Sequence, residues 1–204
     1  MNLLNIAAIP ADGIGPEVIN AGIEVVSAVM ARNPSTQINF THFNWGSDYY
    51  KSHGVMMPDD GLDQLKVFDA IYFGAVGAED VPDHITLWGL RLPICQGFDQ
   101  YANVRPTRIL PGISSPLKGK GPGDLDWVIV RENSEGEYSG HGGRAHKGMP
   151  EEVGTEVAIF TRTGVSRIMR YAFALAASRP RKLLTVVTKS NAQRHGMVMW
   201  DEIA

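Results

Sequence analysis

The chain lacks most of what marks secreted, membrane-spanning or nucleotide-hydrolysing proteins. A single cysteine, Cys95, stands among 204 residues. An intrachain disulfide is therefore impossible, and the composition fits a reducing cytosol. Taken alone, Cys95 reads as a small buried hydrophobe. No apolar run approaches the roughly 20 residues of a membrane helix. Met1 to Ile9 has no basic lead and meets Pro10 at once, unlike a secretory signal. A cytoplasmic protein with no membrane partner is the expectation. Gly13 and Gly15 open a G-x-G pattern, but Val18 replaces the third glycine, so the dinucleotide fingerprint is missing. Gly143 to Gly148 has P-loop spacing, yet Met149-Pro150 stands where lysine and a hydroxyl residue are needed. His141 and His146 have no cysteine or carboxylate cluster beside them, which argues against structural zinc. Ser134 and Ser139 have no nucleophile-elbow context.

Charge excludes little more. A net charge of -3 gives no global attraction to nucleic acid or to an anionic membrane surface. The distribution is uneven, however. From Thr161 to His195 there are eight basic residues and no acidic ones. Such a stretch can draw in small anions, although solvated helix faces account equally well for most of these cations.

What is present is an alternation of strand and helix. Leu3 to Ile9 reads as a strand, and Asp12 to Glu17 as a turn opening a helix that runs to Met30. Gln37 to Phe43 alternates like a strand, and Pro58-Asp59-Asp60 starts a short helix. Phe68 to Phe73 is a buried strand closed by Gly74 to Gly77. This pattern favours parallel strands flanked by helices, with ligands at the glycine-bordered strand ends. Proline and glycine then crowd residues 111 to 123, and Gly140 to Pro150 reads as a second, more flexible loop. A boundary near residue 100 follows, dividing residues 1–100 from 101–204. Val153 to Thr161 is read as extended, Gly164 to Ser178 as an amphipathic helix, Lys182 to Thr188 as a strand and Ala192 onward as a helix. That last helix reaches Ala204 with no terminating glycine or proline, so a C-terminal continuation is expected.

Arg131-Glu132-Asn133-Ser134-Glu135-Gly136-Glu137-Tyr138 carries the chemistry. It leaves the apolar run Trp127 to Val130 and sets a guanidinium and a phenol just beyond a strand. Arg105, in Asn103-Val104-Arg105-Pro106, supplies a second fixed cation, and Lys189, in Thr188-Lys189-Ser190-Asn191, an amine. Two arginine forks suit a dicarboxylate. Duller roles remain open at each position. Arg105 could tie down a turn, Arg131 could pair with Glu132 or Glu135, Tyr138 could be a half-buried aromatic and Lys189 a solvated strand end.

With these motifs, together with Asp12 to Glu17, Asp83 to Gly89, Phe98 to Tyr101 and Trp200-Asp201-Glu202, the chain resembles the β-decarboxylating hydroxyacid dehydrogenases. These include isopropylmalate and isocitrate dehydrogenases. The resemblance implies an isopropylmalate dehydrogenase-like α/β fold, with a parallel-rich sheet flanked by helices and a second, smaller α/β subdomain. Residues 1–100 would then belong to the large cofactor-binding domain and 101–204 to the substrate and dimerisation domain. It also implies NAD-dependent oxidation and β-decarboxylation of a small (R)-2-hydroxy dicarboxylate such as D-malate or tartrate, with Mn2+ or Mg2+ and a homodimer. By the same resemblance Arg105 and Arg131 bind substrate, Tyr138 protonates the enol carbon, and Lys189, reaching in from the partner subunit, assists hydroxyl deprotonation. Ile14, Gly74, Val76 and Asn191 would border the nicotinamide.

Several departures bear on this. Cys95 occupies a position where the family carries another substrate arginine. If Leu90 to Gly97 is helical, Arg91 lies one turn away on the same face and is expected to compensate. Ala11 replaces a usual glycine, and a positive φ there would cost about 1 kcal/mol. No metal site is identifiable, since the family's metal-binding aspartates are expected beyond residue 204, and Asp201-Glu202 reads as a solvated helix face. Gly89 and Arg91 disfavour isocitrate, while Trp88 and Arg91 disfavour isopropylmalate, which stays as the second alternative. The competing reading is a truncated paralogue that folds or dimerises without turnover.

Overall fold

The computed structural model describes residues 2–33 and 35–204. Contacts divide the chain into two compact units, Met1–Phe98 and Asp99–Ala204.

In the first unit β1 (Asn2–Ala11) is the centre of a parallel sheet, flanked by β2 (Thr36–His42) and β3 (Ala70–Ala75) in the order β2-β1-β3. Ala7, Ala8 and Ile9 are wholly buried, so both faces of β1 are covered, as parallel strands require. Helix α1 (Gly15–Met30) starts with proline in its first turn and Glu17 at its positive end, and it packs on β1 and β3. Glycine makes that approach possible. A Cβ on Gly15 would stand 1.9 Å from the Pro10 carbonyl oxygen, and one on Gly74 2.2 Å from the same atom. Gly74 thus lies inside β3 with a packing reason for being glycine.

Two short helices, α2 (Ser47–His53) and α3 (Gly61–Leu65), precede β3. The sequence carries no obvious signal for α2, because the carboxylate that receives its first N–H belongs to Asp12, far back in the chain. Residues 83–97 are helical from end to end: α4 (Asp83–Thr86), a π-turn (Leu87–Arg91) and α5 (Leu92–Gly97). Leu90 and Ile94 from this stretch join Ala7, Ile9, Trp45, Met56 and Leu65 in the core.

The second unit holds two antiparallel pairs, β4 (Ala102–Arg108) with β5 (Asp126–Glu132) and β6 (Gly136–Ala145) with β7 (Val153–Ile159). Helix α6 (Arg162–Ser178) buries Val165, Ile168, Met169, Ala172 and Ala176 at three- and four-residue spacing and packs on β5. Helix α7 (Gly196–Ile203) packs on α6.

Two expectations fail here. The stretch Gly140 to Pro150, read as a flexible loop, is in part strand, since β6 extends to Ala145. Gly142 serves close pairing, since a Cβ there would lie 2.2 Å from the Thr155 carbonyl oxygen. Conversely, Lys182 to Thr188, read as a strand, carries no regular structure and pairs with no strand among the described residues. Its apolar residues are present, but Leu183 is 61% and Val187 84% exposed. An apolar run becomes a strand only where a neighbouring edge accepts its hydrogen bonds.

Candidate functional site

The second unit gathers three of the expected residues. In the β4–β5 pair Asn103 faces Arg131 and Arg105 faces Ile129. Side chains opposite one another share a face, as do residues two apart. Arg105, Asn103 and Arg131 therefore lie on one side of the ribbon, with the two arginines as diagonal neighbours about 7 to 8 Å apart at the backbone. Arg105 is exposed, and its guanidinium makes no hydrogen bond or ion pair among the described residues.

Past Glu132 the chain turns sharply back. The Glu132 carboxylate accepts from the Ser134 backbone N–H at 2.9 Å, the Ser134 hydroxyl at 2.6 Å and the Glu135 N–H at 2.6 Å. Gly136 follows at φ +70°, a left-handed conformation that lets β6 begin at once. The reversal brings the Tyr138 ring beneath Arg131, whose guanidinium carbon is 4.9 Å from the ring centroid. That is a cation–π contact, with the phenol beside the positive charge. Arg131 pairs with neither Glu132 nor Glu135. Its Nη2 donates to Asn133 Oδ1 at 3.3 Å, and its buried Nε has no partner.

A third arginine, not singled out in the sequence, supports the turn. Arg167 on α6 donates through Nη1 to both Asp99 oxygens, at 2.8 and 2.9 Å, and through Nη2 to the Ser134 hydroxyl at 2.9 Å. Its guanidinium also lies 4.5 Å from the Tyr101 ring centroid. Glu135 accepts from the Thr161 backbone N–H at 2.9 Å and from its hydroxyl, while Thr161 Oγ1 caps α6 by accepting from Gly164 N at 3.0 Å. Glu132 and Glu135 are thus engaged locally, and Arg131 has no carboxylate partner among the described residues. Arg167 was legible only as one of many cations on a basic helix.

Lys189 is exposed, with no ion-pair partner among the described residues. Its backbone carbonyl accepts from Ala192 N at 3.0 Å and Gln193 N at 2.8 Å, and exposed Asn191 lies within this turn. Asp201 on α7 is no idle surface acid. Hydrogen bonds from Ser190 and then Thr188, the latter at 2.8 Å, hold its carboxyl below the usual range, so the residues on both sides of Lys189 are tied to it. Glu202 lies 3.8 Å from Arg162.

In the first unit, buried Asp12 organises the loops leaving β1 and β3. Its Oδ1 accepts from Ser47 N at 2.7 Å, and its Oδ2 from the Ser47 hydroxyl at 2.8 Å and Gly77 N at 2.9 Å. Ile14, exposed at the mouth of α1, and Val76 therefore follow strand ends held by one carboxylate. The chain steps from β1 out to β2 and returns to the other side of β1 at β3, the type of strand-end crevice where parallel sheets bind ligands. Arg91 ends the π-turn and Cys95 is buried in α5 one turn on, so the two share a side of the helix. Among the described residues no three His, Cys, Asp or Glu side chains are grouped to hold a metal ion. No helix there is long and apolar enough to cross a membrane.

An α/β sheet of this topology in one unit, and in the other a ribbon bearing paired arginines and a stacked tyrosine, are each consistent with family membership, which sequence establishes. The chain belongs to the isocitrate/isopropylmalate dehydrogenase family, whose profile matches residues 5–204. More particularly, it is 80% identical over 204 residues to a probable tartrate dehydrogenase/decarboxylase of Agrobacterium vitis, covering all of this chain and 57% of that protein. It is 55% identical over 204 residues to the decarboxylating D-malate dehydrogenase of Escherichia coli K12, covering 99% of this chain and 56% of that one. The isocitrate dehydrogenase of Methylococcus capsulatus matches the whole chain with a TM-score of 0.80 at 29% identity, and 56% of its own length is covered. The chain spans just over half the length of these relatives.

Proposed function

We propose that this chain forms part of an NAD-dependent enzyme that oxidises and β-decarboxylates a small (R)-2-hydroxy dicarboxylate, with D-malate or tartrate as substrate. The observation that carries the proposal is the Arg131–Tyr138 stack on the ribbon face shared with Arg105. The likeness to tartrate and D-malate dehydrogenases supports the choice of substrate. Arg105 and Arg131 hold the carboxylates with paired N–H bonds. Tyr138, kept beside a permanent cation, hands its phenolic proton to the carbon left after loss of the β-carboxylate. The partner's Lys189 takes up the hydroxyl proton. NAD would supply the acceptor for the C2 hydride, and Ile14, Gly74, Val76 and Asn191 would border it. The described residues offer no donor set for Mn2+ or Mg2+. Arg91 takes the place of the arginine missing at Cys95.

The roles divide between the units as cofactor binding in the first and substrate binding and dimerisation in the second. Exposure of Val153 and Val157 on the β6–β7 hairpin, and of Leu183 and Val187, supports a homodimer. A second reading, a chain that folds and associates without turnover, draws on the lack of metal donors among the described residues. Formation of NADH from D-malate or tartrate with manganese, by the purified chain and by its Arg131→Ala variant, separates the two. Turnover abolished by the substitution supports the enzyme, and turnover indifferent to it refutes the site.

A further inference from the structure

We infer that Asn133 is a positioning residue that presents Arg131 to the dicarboxylate without neutralising it, an inference that rests on the proposed role of Arg131 as a substrate arginine. Asn133 is 3% exposed, the most buried polar residue of its unit among those described. Its backbone N–H donates to the Tyr101 carbonyl at 2.9 Å and its Nδ2 to the Gln100 carbonyl at 3.1 Å, so both donors are fixed to the turn that leads into β4. Its Oδ1 is left to accept from Arg131 Nη2 and Asn103 Nδ2, each at 3.3 Å. The amide can be placed only one way round. A carbonyl only accepts and a guanidinium only donates, so reversing it would set donor against donor and acceptor against acceptor.

Asn133 therefore holds two side chains on the face that carries Arg105. Arg131 is gripped at one nitrogen by Asn133 and across its plane by Tyr138, both neutral. Glu132 is withheld by its own turn and Glu135 by Thr161. A neutral acceptor orients the guanidinium yet leaves its charge for an incoming carboxylate, whereas an aspartate at this position would compete for it.

The test uses the full chain with D-malate as probe. Calorimetry gives the dissociation constant, and the Arg131 Nε–Hε resonance reports how the guanidinium is held. Asn133→Ala is expected to weaken D-malate binding roughly tenfold to hundredfold, the effect of losing one hydrogen bond to a charged group, and to move the Arg131 resonance to the position of exposed arginines. Asn133→Asp is expected to keep that resonance apart from the exposed ones while weakening binding at least as much. If Asn133→Ala binds like the parent while Arg131→Ala does not bind, the inference falls and the substrate arginine stands. If Asn133→Asp loses the resonance as Asn133→Ala does, Asn133 is only a packing residue and the inference falls. A parent chain that does not bind D-malate, or that binds it as well with Arg131→Ala, overturns both.

Discussion

Replacing Gly164 by alanine should destabilise this protein, although glycine-to-alanine changes inside helices ordinarily stabilise by about 0.5–1 kcal/mol. Gly164 lies in the first turn of α6, and a Cβ there would stand 2.2 to 2.4 Å from the Glu135 carboxyl atoms. That carboxylate is the far end of a flexible side chain and can swing aside, so the cost is not the overlap itself. It is the two hydrogen bonds from Thr161, N–H and hydroxyl, that the swing would break. At a net value near 1 kcal/mol each, their loss of about 2 kcal/mol exceeds the helical gain and leaves roughly 1 kcal/mol of destabilisation. For a chain of this size the midpoint should fall by about 2–4 °C. Calorimetric melts of Gly164→Ala and Glu135→Ala, alone and together, measure the coupling. With Glu135 already shortened, Gly164→Ala should become neutral or stabilising. A single Gly164→Ala variant melting at or above the parent would refute the account of how Glu135 fastens the Tyr138 hairpin to α6.

Three further outcomes follow from the same contacts. Arg131→Lys keeps the charge but loses the planar fork and weakens the stack on Tyr138, so D-malate binding should weaken by about tenfold or more, read by titration calorimetry. Arg167→Ala breaks the bidentate pair with Asp99 and the bond to Ser134; because Asp99 is largely exposed, the loss should be modest, about 1–2 kcal/mol in urea denaturation. Asp201 has a carboxyl held below its ordinary value of 3.8, so its contribution is present above that value and disappears as pH falls through the lower folded value. Amide exchange of residues 188–193 should lose protection only in that acid range in the parent, and should be raised already at neutral pH in Asp201→Ala.

How legible the molecule was depends on the distance over which each residue acts. Strands β1 and β2, helices α1 and α6 and the Arg131 to Tyr138 motif were readable because period, caps and charge sit within a few residues of one another. At Ala11, where the usual glycine raised the question of a positive φ, the φ is +56°, in the left-handed region. Helix α2 was missed because its N-terminal acceptor is Asp12, and the false strand at Lys182 to Thr188 shows the converse, a local apolar run with no edge to join among the described residues. Arg167 and Asn133 were invisible for the same reason, each acting through partners brought close only by folding. The residues that carry charge to a ligand announce themselves by type, whereas those that aim it do so through neutral bonds that any asparagine could make. A sequence reading of such a site will therefore name its arginines and overlook the groups that orient them, and the proposed binding of an anion depends on Arg131 having no carboxylate partner among the described residues.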